Sequence, residues 1–367
     1  MIINQSEMKV YFFKSILIVA ITGFSFQSFA QDGVSALVKS GPADAQKLAQ
    51  AYLSPLFKGI GFGMNSGWYN SAKAKNLGKF DIRIQGSGAM VPSSDQSFDV
   101  TQIGLSNKTR VNGLAITPTA FGDNVKGSLI ELYSDDNKKV GEFNMPNGTG
   151  LKFVPSPQIQ ATVGIIKNTD ISVRYSPEIG KNSSFGSIQV LGFGVKHEIT
   201  KLLLPGKTEK IIPVDIAVAF GYNQIKYKYQ IKTADIIDDS KSGQNLNQRV
   251  KGTFSGYSFD AILSKKLTIF TPFISLGYNT AKTDIGLLGN YIVRTDYQRF
   301  PGTQIPDQSK PIYSTFTDPV KLNQKDIDGV RANIGFSLHL AFFRLYGGYS
   351  IGEYSAVTGG IGFGIGK

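Results

Sequence analysis

Residues 330–340 read Val330-Arg331-Ala332-Asn333-Ile334-Gly335-Phe336-Ser337-Leu338-His339-Leu340. In a strand, side chains alternate between faces, so Val330, Ala332, Ile334, Phe336, Leu338 and Leu340 share one side. Arg331, Asn333, Gly335, Ser337 and His339 share the other. One face suits hydrocarbon and the other suits water. A tilted strand of about ten residues crosses a bilayer, and this stretch is long enough to do so.

The same pattern returns along most of the chain. At 212–222, Ile212, Val214, Ile216, Val218, Phe220 and Tyr222 oppose Pro213, Asp215, Ala217, Ala219 and Gly221. At 270–279, Phe270, Ile274, Leu276 and Tyr278 oppose Thr271, Ser275, Gly277 and Asn279. The last stretch sets Val357, Gly359, Ile361, Phe363 and Ile365 against Thr358, Gly360, Gly362, Gly364 and Gly366. A soluble sandwich also alternates, but with strands of about five residues. Here the segments are longer. Tight turns near Lys167-Asn168, Ser264-Lys265-Lys266 and Ala341-Phe342 alternate with long polar stretches at 135–156, 231–247 and 283–326. Long strands with lopsided connections predict an all-β fold, a transmembrane antiparallel β-barrel. Both termini on one side of the membrane require an even strand number. The segments 79–91, 98–107, 124–133, 157–167, 169–177, 185–197, 211–224, 248–263, 267–281, 328–340, 343–352 and 356–366 give about twelve, or fourteen if 108–121 adds a pair.

Composition agrees with this reading. The 367 residues include 41 glycines, 11% aromatics and no cysteine, and mean hydropathy is −0.07, because alternation hides apolar content from an average. The missing cysteines exclude a disulfide framework and a lipid-anchored lipoprotein. Lys9 and Lys14 flank a short apolar run, Ile16 to Phe26, that ends in Ser28-Phe29-Ala30. That is the form of a secretory signal peptide, predicted to span 1–30 with cleavage near Ala30. Lys9, Lys14 and Glu7 leave with it, so the net charge of +12 falls by one. Export argues against a nucleic-acid partner, and a basic surface in the envelope suits anionic lipid head groups.

Between residues 31 and 78 the period changes. Ala45, Leu48, Ala49, Tyr52, Leu53 and Leu56 fall on one face of a helix. Pro42 suits its first turn, and Pro55 is expected to kink or end it. Gly59-Ile60-Gly61-Phe62-Gly63 and the stretch around Trp68, Tyr69 and Asn70 then read as a glycine-rich turn. A barrel of twelve strands has room for such a segment, so 31–78 is expected to form a plug or hatch inside a barrel of residues 79–367. The inward glycines Gly360, Gly362 and Gly364 are the expected wall for it. Period two also directs Asp81, Arg83, Arg174, Asp215, Asp260, Arg331, His339 and Arg344 into the lumen, where pairing favours a narrow or gated conduit over an open pore.

The helix, the Asn-containing turn and the alternating barrel resemble the fatty-acid-transporter type of outer-membrane protein and its relatives in the Bacteroidota. The run Gly67-Trp68-Tyr69-Asn70-Ser71-Ala72-Lys73 with Gly78-Lys79-Phe80-Asp81 is similar to one branch of that group, with no assigned role. Transporters of this type often carry Asn-Pro-Ala in the hatch; Asn70-Ser71-Ala72 lacks the proline. The resemblance implies a plugged, porin-like channel in the outer membrane that takes up small hydrophobic molecules. The alternative is an anchor or assembly factor for surface or secretion proteins, with envelope proteins as partners.

Catalysis has few anchors here. Ser337 and His339 share a face and could form a nucleophile–base pair, but a lumen-facing polar pair is the ordinary explanation, and no enzyme activity is expected. The acidic runs Asp135-Asp136-Asn137 and Asp235 to Asp239 lack the spacing of a calcium loop. Gly59 to Gly63 lacks the strand and lysine of a phosphate loop. Neither metal nor cofactor is expected.

Overall fold

The computed structural model describes residues 36–181, 183, 186–204, 214–231 and 246–365. The predicted signal peptide and the Asp235 to Asp239 run lie outside the described residues. The strands, in chain order, are β1 (Phe80–Met90), β2 (Ser97–Asp99), β3 (Thr109–Asn112), β4 (Ile116–Pro118), β5 (Leu129–Tyr133), β6 (Lys139–Asn144), β7 (Phe153–Ile166), β8 (Thr169–Ile179) and β9 (Ser187–Glu198). There follow β10 (Asp215–Gln230), β11 (Arg249–Ser264), β12 (Phe270–Leu288), β13 (Asn290–Arg299), β14 (Pro306–Thr317), β15 (Val320–Leu340), β16 (Phe343–Ile351) and β17 (Ser355–Ile365).

Ten of these close an antiparallel barrel in the order β1-β17-β16-β15-β12-β11-β10-β9-β8-β7. The expectation of twelve strands, or fourteen, is therefore corrected. The segments 98–107 and 124–133 are not in the wall, because β1 pairs directly with β7, from Phe80–Val163 to Met90–Phe153. The chain between them forms a cap instead, made of the β2–β4 pair and the three-stranded sheet β3-β5-β6. Alternation is poor there because a small cap has no lipid-like outer face to impose period two. The stretch 283–326 is likewise no loop: β12 and β15 stay paired out to Leu287–Val320, and β13 and β14 form a hairpin between them. The barrel thus has a turn end, with both chain termini of the wall and the connections at 167–168 and 341–342, and a loop end carrying the cap and the hairpin.

The wall obeys the alternation. Leu276, Ile334, Val330, Ile361 and Phe363 point out and are exposed, whereas Asp81, Arg83, Arg174, Asp260, Arg331 and Arg344 point in and are buried. Exposed apolar residues form a belt around the outside.

Pro42–Asn65 is one α-helix, α1, with Gly41 as its N-cap and Pro42 in its first turn. It does not end at Pro55; the helix runs through Gly59 to Gly63, the stretch read as a turn. Glycine disfavours helix by about 1 kcal/mol, so packing must decide here. A Cβ on Gly59 would meet Val154 of β7, one on Gly63 would meet Ser156 of β7, and one on Gly61 would meet Ala281 of β12. The helix is wedged between opposite sides of the lumen at a level with no room for side chains.

Candidate functional site

The ten described wall strands enclose a lumen, and its contents are the first candidate for the site. α1 enters from the loop end. Asp44 accepts hydrogen bonds from the backbone N–H and hydroxyl of Ser106, at 3.0 and 2.6 Å. Tyr52 donates to the carbonyl of Asn147 at 2.8 Å. Leu48 and Tyr52 are buried with Phe121, Ile130 and Tyr291 in a core shared by helix, cap and hairpin, with Leu53 and Leu56 at its margin. The face predicted from helical spacing is therefore buried in a core to which cap, hairpin and wall all contribute. Burial pushes the Tyr52 hydroxyl up to about 12. Burial also raises that of Tyr354, between β16 and β17, helped by its bond to Asp95. Lys58 joins the helix to the rim through Asp95 at 3.2 Å and Glu353 at 3.5 Å.

The other end of the helix lies deep in the barrel, and there the chemistry changes. The last carbonyls of any helix lack intrahelical donors and carry the negative end of its dipole. Here the wall supplies the donors. Gln158 donates to the Gly63 carbonyl at 2.9 Å. Arg174 reaches Met64 at 2.6 Å and Ser66 at 2.9 Å. Arg331 reaches Asn65 at 2.7 Å. Arg83 reaches Gly67 at 2.9 Å and Trp68 at 2.6 Å. Every carbonyl from Gly63 to Trp68 thus accepts from the wall. Arg83, Arg174 and Arg331 come from β1, β8 and β15, so they form a collar around the chain.

Charge in the collar is only partly balanced. Asp260 pairs with Arg331 at 2.7 Å, and Asp81 with Arg344 at 2.5 Å. Asp215 pairs with Lys73 at 3.3 Å, which also meets Glu198 at 2.9 Å. Pairing was the expectation for these groups. Arg174 differs: among the described residues it has no carboxylate partner, and its guanidinium lies 3.8 Å from the centre of the Trp68 ring. A face-on indole and two carbonyls substitute for an anion.

The glycine wall expected for this segment is not where the contact falls. Cβ atoms on Gly360, Gly362 and Gly364 would meet Gln85, Tyr346 and Arg344. The last strand is bare because side chains of its neighbours lie across it. Trp68 packs instead on β9 and β10, where Cβ atoms on Gly194 and Gly221 would strike the indole. Those strands lie across the barrel from β17. Trp68 is 5% exposed, and its Nε1 has no partner among the described residues. Tyr69 is held by Ser275 at 2.8 Å and Asn333 at 3.2 Å. Asn70 borders two small voids, one also lined by Asp170 and Lys196 and the other by Phe273 and Tyr346.

Ser337 and His339 come within 3.3 Å, but Ser337 is fully buried and offers no access to a substrate. Asp135 and Asp136 are paired with Lys108 and Arg299 rather than grouped as ligands. Among the described residues no cluster could hold a metal ion.

Sequence reasoning missed one feature. The β7–β8 ladder runs from Ile166–Thr169 to Gln160–Arg174 and stops. β7 continues to Phe153 and β8 to Ile179, yet they do not pair. A cavity of about 620 Å³ occupies this seam. Ile60 of α1, Phe153, Pro155 and Pro157 of β7, and Tyr175 and Ile179 of β8 border it, and no charged side chain does.

Solved structures offer slight likenesses. Ail of Yersinia pestis matches 79% of this chain and 100% of its own, at 7% identity and TM-score 0.24. The outer membrane protease OmpT of Escherichia coli matches 82% and 100%, at 9% and 0.30. The toluene transporter TodX of Pseudomonas putida matches 84% and 96%, at 9% and 0.26. Likeness at this level carries no argument about activity. No curated protein matches the chain. Residues 8–365 match the family described as a family of unknown function, DUF6588, and the chain belongs to that family.

Proposed function

We propose that this protein is an outer-membrane barrel of the fatty-acid-transporter kind, whose axis is plugged and which takes up small hydrophobic molecules through its wall. The exposed apolar belt suits lipid, and a closed barrel is one of the two folds that satisfy every backbone group there. The observation that carries the reading is the seam cavity. It is apolar, uncharged, of a size suited to a small ligand, and floored by Ile60 of the helix. The axis offers no comparable route, since the cap core closes the loop end and the arginine collar grips the chain below it.

The reading is tested by titrating the purified protein in detergent with an apolar fluorescent probe such as N-phenyl-1-naphthylamine. Saturable binding is expected, and Ile60→Glu, which puts a charge on the cavity floor, is expected to weaken it by on the order of tenfold or more. Equal binding by the folded variant would overturn the reading. An anchoring role is favoured by one observation, the exposed Leu114, Ile116 and Val125 on the cap. That role predicts no saturable probe binding at all.

A further inference from the structure

The register of β7 and β8 can be carried past the point where pairing stops. Gln160 faces Arg174 and Ala161 faces Val173, so the same ladder would next set Ile159 against Tyr175, with Pro157 and Pro155 following on β7. Backbone direction decides what those positions could do. Val91 donates to the carbonyl of Lys152 at 2.9 Å, and Gly164 donates to that of Lys79 at 3.0 Å. Even-numbered residues of β7 therefore turn their backbone groups to β1, and the odd-numbered ones, Pro155 and Pro157 among them, turn theirs to β8. In β8 the even positions as far as Ser176 serve β9, and the register against β9 then shifts before Ile179, which puts Pro177 in a break of register, one of the places where a sheet tolerates proline.

Both β7 proline nitrogens thus point into the seam, where no proline can donate. Pro157 and Pro155 would be successive ladder positions without an N–H group on the β7 side. On its other side β7 pairs with β1 without interruption across both prolines, so the defect is confined to the edge where the wall is open. Proline also removes the usual cost of an open edge, since an N–H left unpaired in hydrocarbon is expensive; two of the three seam-facing positions of β7, Pro155 and Pro157 but not Ile159, have none. The inner face of the open stretch is seated on α1, through Gly59 on Val154 and Gly63 on Ser156.

We propose that Pro155 and Pro157 hold the β7–β8 seam open and so determine access to the cavity behind it. The statement about access rests on the proposed uptake function; the statement about the seam does not. The chain has no cysteine, so spin labels can be placed at Ile159→Cys and Tyr175→Cys across the seam, with Val163→Cys and Ile171→Cys, a paired position, as the closed reference. In Pro155→Val/Pro157→Val the seam distance is expected to narrow to that of the reference, with strands about 4.8 Å apart, and hydrogen exchange along 153–159 to slow. Probe binding is expected to fall with it. Pro157→Val alone gives the same reading should the double variant not fold. Pro272→Val, at the turn end of β12, is expected to change neither signal. A folded variant whose seam distance and exchange match wild type would overturn the proposal. A narrowed seam with undiminished probe binding would uphold the statement about the seam and overturn the one about access, with the uptake reading.

Discussion

The two halves of α1 are held by opposite chemistry. From Pro42 to Phe62 the helix is fixed by shape: Leu48, Tyr52, Phe57 and Phe62 are buried in an apolar core, and glycines let it touch the wall. From Gly63 onward the chain is fixed by donors, with six carbonyls bonded to arginines and glutamines. Apolar packing is tolerant of small shifts, but a guanidinium aimed at two carbonyls is not. The comparison implies that the depth and rotation of the helix are set at the collar, while the seal is made above it.

The largest effect expected from this contrast comes from Arg174. Arg174→Met keeps much of the volume but orphans the carbonyls of Met64 and Ser66, each costing about 1–3 kcal/mol when buried. Loss of a desolvated cation offsets part of that, leaving a net destabilisation of about 2–4 kcal/mol. Arg174→Lys should fall between, since an ammonium cannot span two carbonyls as a fork. Urea midpoints from heat-modifiable gel mobility measure both. An Arg174→Met protein as stable as wild type would remove the collar from its place in the argument.

A smaller effect of reversed logic is expected at Gly59. In an exposed helix Gly→Ala stabilises by about 1 kcal/mol. Here the new Cβ would sit 2.3 Å from a Val154 methyl, and overpacking costs about 1–3 kcal/mol, so Gly59→Ala should destabilise by about 1–2 kcal/mol. Adding Val154→Ala should recover most of the loss, a coupling that a double-mutant cycle reads directly. Additive losses would mean that helix and wall are not in contact at this level.

What could be read in the sequence follows the same divide. The faces of the wall were legible because a two-sided environment imposes period two over long strands, as at 330–340. The cap segments 98–107 and 124–133 were misread because a few apolar residues in a short strand look alike in a cap and in a wall. That Arg83, Arg174 and Arg331 point inward was legible too. Their partners were not, since these are main-chain carbonyls, and Arg331 and Asn65 lie at nearly opposite ends of the chain. Gly59 to Gly63 spelled a turn by propensity, and only the narrowness of the lumen makes it helix. The role of Gly360, Gly362 and Gly364 depended on which neighbouring side chain crosses them, a matter of cross-strand register. The prolines of the seam each stood in a plausible strand. Their meaning appears only when β7 and β8 are set side by side.

The smallest effect is expected at Trp68, which also reports on both halves of the helix. Trp68→Phe loses part of the ring under Arg174 but removes a buried N–H without a partner. Those terms oppose each other, and the net change should stay within about 1 kcal/mol. In the wild-type protein the indole is 5% exposed, and with no other tryptophan in the chain its emission should be blue-shifted and shielded from acrylamide. Arg174→Met frees the carbonyls on either side of the turn and should make Trp68 red-shifted and open to quencher. Gly59→Ala disturbs the helix above the collar and should leave the indole shielded, although the protein is less stable. If Gly59→Ala opened Trp68 as fully as Arg174→Met, the two halves would be one mechanical unit. Shape and donors would then share the task that the comparison assigns to the collar alone.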